Sequence, residues 1–251
     1  MNKFPANLIL EKLKSKLISL NVNPGYANIV SESILKASSR GVHSHGIALI
    51  NRYIDEINSG RIKPNNIPDI IINKTELSIS AKLDRYLGFG QVGTHKTIDR
   101  ILSELDERQS NISITITNCN HIGDLKQYAS RFNSLGFCFI GFASAGPNVG
   151  LEDGKKVGTN PLCMTIPIDL GNNEFVGCDL ATSVYPEGKV RVAKMNNSTL
   201  PEGIIRDSLG ELSTNPDDLY KGGWLLPFGG YKGFAIAASI DLLLACLGGA
   251  S

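Results

Sequence analysis

Gly88-Phe89-Gly90-Gln91-Val92-Gly93 spells G-x-G-x-x-G ahead of a helical stretch at residues 94–109, and whether it is a dinucleotide fingerprint decides the fold. In a Rossmann unit such glycines let backbone amides approach a pyrophosphate at a helix N-terminus. That unit needs the loop directly after a strand, and an acidic residue about 20 positions on that ends a second strand. Here Asp84, Arg85, Tyr86 and Leu87 separate the loop from the alternating run 76–83. Glu104, Asp106 and Glu107 fall inside the helical stretch. The glycines therefore read as turn formers, and the fold as something other than a Rossmann fold.

Upstream, residues 5–20 and 24–38 carry apolar side chains at helical spacing (Leu8, Ile9, Leu13, Leu17; Ala27, Val30, Ile34, Ala37). A third helix, 47–58, stops at Ser59-Gly60. Pro64-Asn65-Asn66-Ile67-Pro68 makes a stiff connection. Downstream, 111–117 alternates as a strand, 123–134 is helical and 137–142 is a buried apolar strand. Strands are expected at 162–168, 174–180 and 189–194, and a closing helix at 234–247. The expectation is an α/β (α+β-like) chain, with a helical subdomain at 1–68 and a sheet domain at 69–251.

Lys+Arg 25 against Asp+Glu 24 gives a net charge of +1, which offers nothing for nucleic acid to bind. Five cysteines without paired spacing read as buried thiols in a reducing compartment. The N-terminal stretch Met1-Asn2-Lys3-Phe4-Pro5 has no continuous apolar region of a signal peptide. The longest apolar run, 234–247, is short for a bilayer and contains Asp241. A soluble, cytoplasmic protein without a membrane partner is expected.

Chemistry concentrates in Arg40-Gly41-Val42-His43-Ser44-His45-Gly46, which holds two of the four histidines. Imidazole titrates near neutrality, so a histidine at a glycine-flanked loop-to-helix junction suits proton donation or metal ligation. The structural alternative is a helix cap with Ser44 as the capping side chain. His121, in Asn118-Cys119-Asn120-His121-Ile122-Gly123, follows a strand, where catalytic groups often sit. His43, His45, Cys119 and His121 could together bind metal, but their spacing fits no structural zinc pattern. In Pro227-Phe228-Gly229-Gly230-Tyr231-Lys232-Gly233, small residues and a lysine open a helix. That arrangement suits an anion such as phosphate, or else is a tight turn with Lys232 in solvent.

In chain order, Gly41-Val42-x-Ser44-His45-Gly46, Tyr53, Gly60-x-Ile62-x-Pro64, Gly88-x-Gly90-Gln91, Asn120-His121-x-Gly123, Gly158-Thr159-Asn160-Pro161, Asp179-x-Ala181-Thr182-Ser183, Gly188-Lys189 and Leu226-Pro227-x-Gly229-Gly230-x-Lys232-Gly233 resemble one family. It is the malate/L-lactate dehydrogenase-like oxidoreductases that are not Rossmann enzymes, with ureidoglycolate, sulfolactate and diketogulonate-type dehydrogenases among them. The resemblance runs from residue 1 to 251. It implies a non-Rossmann nucleotide-binding domain with a largely antiparallel sheet, a homodimer, and NAD or NADP as cofactor. The implied reaction is hydride transfer between nicotinamide and a small 2-hydroxy or 2-oxo acid.

By the same resemblance His45 is the acid/base group with His121 the other candidate, and Ser44 bonds the substrate. Asp179, Ala181, Lys232, Gly230, Thr159 and Asn160 are cofactor-binding, and no metal is implied. Two departures stand out. Leu49 occupies a position where the family usually places an arginine for the substrate carboxylate, and Arg52, seven residues after His45, is the substitute. Family members also continue further, so the C-terminal part of the family fold is expected to be absent here. The competing classes are a truncated or degenerate homologue without turnover, retaining nucleotide binding or a structural role, and a metal hydrolase using His43, His45 and His121.

Overall fold

The structure, a computed structural model, describes residues 4–84, 86–169 and 174–248. Residues 1–3, Arg85 and 249–251, which entered the sequence reading, lie outside them. The chain divides into two compact units, Met1–Gln127 and Tyr128–Ser251. The break drawn at residue 68 falls inside the first unit. There Phe89 and Val92 bury into one core with Leu13, Leu17, Val30, Ile34, Leu49 and Tyr53 of the helical region.

In the first unit, α1 (Ala6–Ile18) and α2 (Pro24–Ser39) pack through the apolar stripes read from the sequence. Proline at the first position of α2, with the Asn23 side chain accepting from the Gly25 amide at 2.9 Å, fixes its start. Gly41 (φ 77°) closes α2 by letting its own amide and that of Val42 reach Ser38 and Ala37 carbonyls. A 3-10 turn, His43–His45, leads to α3 (Leu49–Asn58).

Three strands follow in the order β1-β2-β3: β1 (Ile70–Lys74), β2 (Ser78–Leu83) and β3 (Asn111–Ile116). β1 runs antiparallel to β2, and β2 runs parallel to β3. The parallel pair is bridged by α4 (Gly90–Glu104), whose Ile101 covers the buried Ile79 and Ala81 of β2. α4 starts four residues earlier than the apolar spacing suggested, inside the glycine run.

The second unit begins within α5 (Lys126–Asn133). An antiparallel sheet follows, β4-β7-β8, made of β4 (Phe139–Phe142), β7 (Leu162–Asp169) and β8 (Glu174–Leu180). β4 is not the buried strand expected, because Ile140 is 60% exposed on one face of this sheet. A five-stranded sheet, β10-β9-β11-β5-β6, comprises β5 (Val149–Leu151), β6 (Gly154–Val157), β9 (Ile205–Arg206), β10 (Leu212–Ser213) and β11 (Trp224–Leu225). Six of the eight strand pairings among the described residues are antiparallel, spread over three sheets rather than one.

Residues 189–194 are not a strand but part of α6 (Glu187–Met195), which Pro186 precedes and an Arg191–Glu187 pair one turn apart supports. α7 (Pro216–Tyr220) and α8 (Tyr231–Gly248) complete the unit. α8 outruns the apolar segment that marks it, and by length and composition alone it could cross a bilayer. Its Asp241, however, accepts a 2.7 Å hydrogen bond from Ser144 of the same unit. All five cysteines are free thiols. Only Cys163 is buried, and Cys138 and Cys246 are exposed, which corrects the expectation of buried thiols.

Candidate active site

His45 ends the 3-10 turn that Gly41 and Gly46 bracket. A side chain at Gly46 would run into Ser38, whose Oγ accepts the Ile47 amide at 2.9 Å. Ser44 does not cap α3. Ala48 stands at the cap position without a side-chain bond, and Ser44 Oγ instead lies 3.0 Å from His45 Nδ1. The imidazoles of His45 and His121 stack, with ring centroids 5.3 Å apart. His43 is exposed.

His121 comes from the loop after β3, between two left-handed residues, Asn118 (φ 50°) and Gly123 (φ 79°). The Asn120 amide anchors this loop by donating to the carbonyls of Leu87 and Gly88 at 2.9 Å each. Gly90 explains the glycine run. A Cβ there would stand 2.5 Å from the His121 carbonyl oxygen and closer still to that of Asn120. Gly88 and Gly93 similarly make room for the Tyr86 ring. These glycines have no positive φ, so they serve close packing rather than a turn, and the start of α4 is filled by the His121 loop.

Two groups without an assigned role complete the cluster. The Tyr53 hydroxyl lies 2.9 Å from His121 Nδ1, and the Gln91 side-chain nitrogen donates to the same hydroxyl. Tyr53 is 0% exposed, and burial pushes its phenol above the ordinary tyrosine range. In the sequence Tyr53 stands only as one residue of the resembling motif series, with no role attached. Nothing local marks a contact with a residue 68 positions away. Cys119 is half-buried, bonds the Asn120 carbonyl at 3.1 Å, and is pushed up to about 11 by burial. Among the described residues, no three His, Cys, Asp or Glu side chains come together as a metal site.

Leu49 is 4% exposed and belongs to the helical core. Arg52 is half-buried, and its Nε donates to Glu56 Oε1 at 2.8 Å.

In the second unit, three of the resembling segments meet. The Thr182 amide and hydroxyl both donate to the Thr159 carbonyl at 2.9 Å, and the Phe228 amide donates to the Thr182 carbonyl at 3.0 Å. Gly229 (φ 58°) and Gly230 (φ 62°) turn the chain into α8. The side of Gly230 where a Cβ would stand is open for 4 Å, and Lys232 is exposed beside it. Asp179 is exposed and Ala181 half-buried. Asn160 differs from these. It is wholly buried, and its amide is spent on the Ala145 amide and the Ala237 carbonyl, so it braces the segment.

Residues 5–251 match the malate/L-lactate dehydrogenase family. A malate dehydrogenase of Pyrococcus abyssi is 34% identical over 89% of this chain and 62% of its own length. The L-sulfolactate dehydrogenase of Methanothermobacter thermautotrophicus is 29% identical over 95% of this chain and 68% of its own. Among solved structures, a dehydrogenase from Sinorhizobium meliloti superposes with a TM-score of 0.87 at 26% identity, covering 100% of this chain and 72% of that one. The chain thus spans under two thirds of the Pyrococcus relative. With the ordered motifs and the matching fold, the chain belongs to the malate/L-lactate dehydrogenase family.

Proposed function

We propose that the protein is an NAD(P)-dependent oxidoreductase that moves a hydride between nicotinamide and C2 of a small 2-hydroxy or 2-oxo acid. The observation that carries this reading is the stacked His45–His121 pair, with Ser44 on one Nδ1 and Tyr53 on the other. Family membership supports it, as do the relatives' names, malate dehydrogenase and L-sulfolactate dehydrogenase. A carbonyl oxygen that becomes a hydroxyl needs a proton. A positioned imidazole supplies one, contributing about 10²–10⁴-fold to the rate.

We assign that proton to His45, with His121 as the second group on the oxygen and Ser44 as a hydrogen-bonding partner of the substrate. Arg52 is the carboxylate's partner in place of the arginine that Leu49 replaces. In the second unit, the open face of Gly230, the Lys232 ammonium and the start of α8 suit the dinucleotide's phosphates. Asp179 suits a ribose hydroxyl, with Thr159 and Ala181 alongside and Asn160 bracing from behind. A bound nicotinamide dinucleotide supplies or accepts the hydride. The resemblance further supports a homodimer, and the unpaired cysteines support a reducing compartment such as the cytoplasm.

The test is oxidation of NADH and of NADPH against a panel of small 2-oxo acids. Turnover is expected with at least one acid and one dinucleotide, and His45→Ala should lower kcat by about 10²–10⁴-fold. Full activity of that variant would remove His45 from the role, and no turnover across the panel would overturn the reaction.

A further inference from the structure

We propose that Tyr53 is a positioning residue that holds His121 as a neutral ring with its proton on Nε2. His121 then gives a hydrogen bond to the substrate oxygen, and the proton transfer falls to His45. This rests on the reading of the two histidines as the reacting groups. The hydroxyl of Tyr53, on α3, meets two groups from other elements: the Gln91 side-chain nitrogen on α4 and Nδ1 of His121. An amide nitrogen only donates. The phenol oxygen therefore accepts from Gln91, and the phenol's own proton is directed at Nδ1. A ring nitrogen that accepts a hydrogen bond carries no proton, so in the neutral imidazole the proton stands on Nε2.

Protonating Nδ1 would aim two donors at one phenol oxygen and leave the buried Tyr53 hydroxyl without an acceptor, which disfavours the imidazolium. Deprotonating Tyr53 is opposed by its burial. The charged or titratable groups recorded beside His121 and Tyr53 do not reverse this. His45 stacks on it from the 3-10 turn, Arg52 and Glu56 neutralise one another on α3, and Cys119 on the ring's own loop stays protonated. The orientation of Gln91 sets the direction of the whole chain. A reversed amide would accept from Tyr53 and turn Nδ1 into a donor.

The experiment is ¹⁵N NMR of the full chain labelled at the histidine ring nitrogens, at a pH where neutral imidazole dominates, with His121→Gln identifying the resonance. The expected spectrum shows His121 protonated at Nε2 and bare at Nδ1. Tyr53→Phe, which removes only the hydroxyl, should give a mixture of tautomers and lower kcat about tenfold, with KM changed less than about twofold. Gln91→Leu frees the phenol to turn and should give the same mixture. A wild-type ring protonated at Nδ1 would overturn the proposal, and so would a pure Nε2 tautomer in Tyr53→Phe. The wild-type spectrum decides the direction even where a variant fails to fold. It needs no substrate, so a failure to find turnover sinks the reaction without touching this result.

Discussion

Arg52 and Glu56 face each other one helical turn apart, and that pairing sets what Arg52 can do for an acid substrate. The contact uses Nε, while Glu56 Oε2 is buried without a hydrogen-bond partner. A charge-assisted contact to a substrate carboxylate is worth about 1.5–3 kcal/mol. Arg52→Leu should therefore raise KM for the best 2-oxo acid by about 10- to 100-fold. The same change strands the Glu56 carboxylate, so the melting temperature should fall as well. Arg52→Lys keeps the charge without the planar fork and should recover only part of the affinity. An unchanged KM in Arg52→Leu would mean that another group holds the carboxylate. His45 was legible as a candidate because glycines and a serine around a histidine are chemically conspicuous. Tyr53 stood in the motif series, but its role was not legible, since nothing in the local sequence places its hydroxyl on His121.

α4 does more than cover β2, because its first residue supports the loop that carries His121. Gly90→Ala would force a Cβ against the Asn120 and His121 carbonyls, which are backbone atoms that cannot turn aside. The expected cost is about 1–3 kcal/mol of stability, read by denaturant unfolding. Turnover should fall as well, because the loop moves with its carbonyls. A fully stable and active Gly90→Ala would show that this approach is not needed. The glycine spacing was visible in the sequence, and so was the exclusion of a dinucleotide loop. The partner of Gly90 was not, because it lies on a strand-end loop about thirty residues away. Similarly, 189–194 alternates in sequence as a strand would, with Val190 and Val192 between charged residues. Pro186 and the Glu187–Arg191 pair favour a helix that buries Val190 alone. Long amphipathic stretches such as α1 and α2 came through with only small shifts at their ends, since many residues vote for one period.

The groups whose pKa burial shifts make the fold sensitive to alkali. Cys119 is raised from 9.0 to about 11, and Tyr53 and Tyr86 are raised by burial beyond the ordinary tyrosine value. Each binds its proton more tightly folded than unfolded. The stability this contributes is complete below about pH 9, the unfolded thiol's value, and is lost as pH rises through about 11. Melting temperature should therefore fall steadily from about pH 9 upward, and Cys119→Ser should flatten the first part of that fall. A melting temperature unchanged up to pH 11 would contradict the burial assigned to these groups. β2 gains β1 through a short turn, but β2 and β3 pair in parallel, Ser78 opposite Asn111, so α4 must form and fold back before β3 gains its neighbour. Closing such a long loop is slow compared with winding α1 or α2. The loop that carries His121 leaves the far end of β3, so it is set only after that pairing. During refolding, helical signal should return first, and the histidine pair should be among the last parts of the unit to assemble.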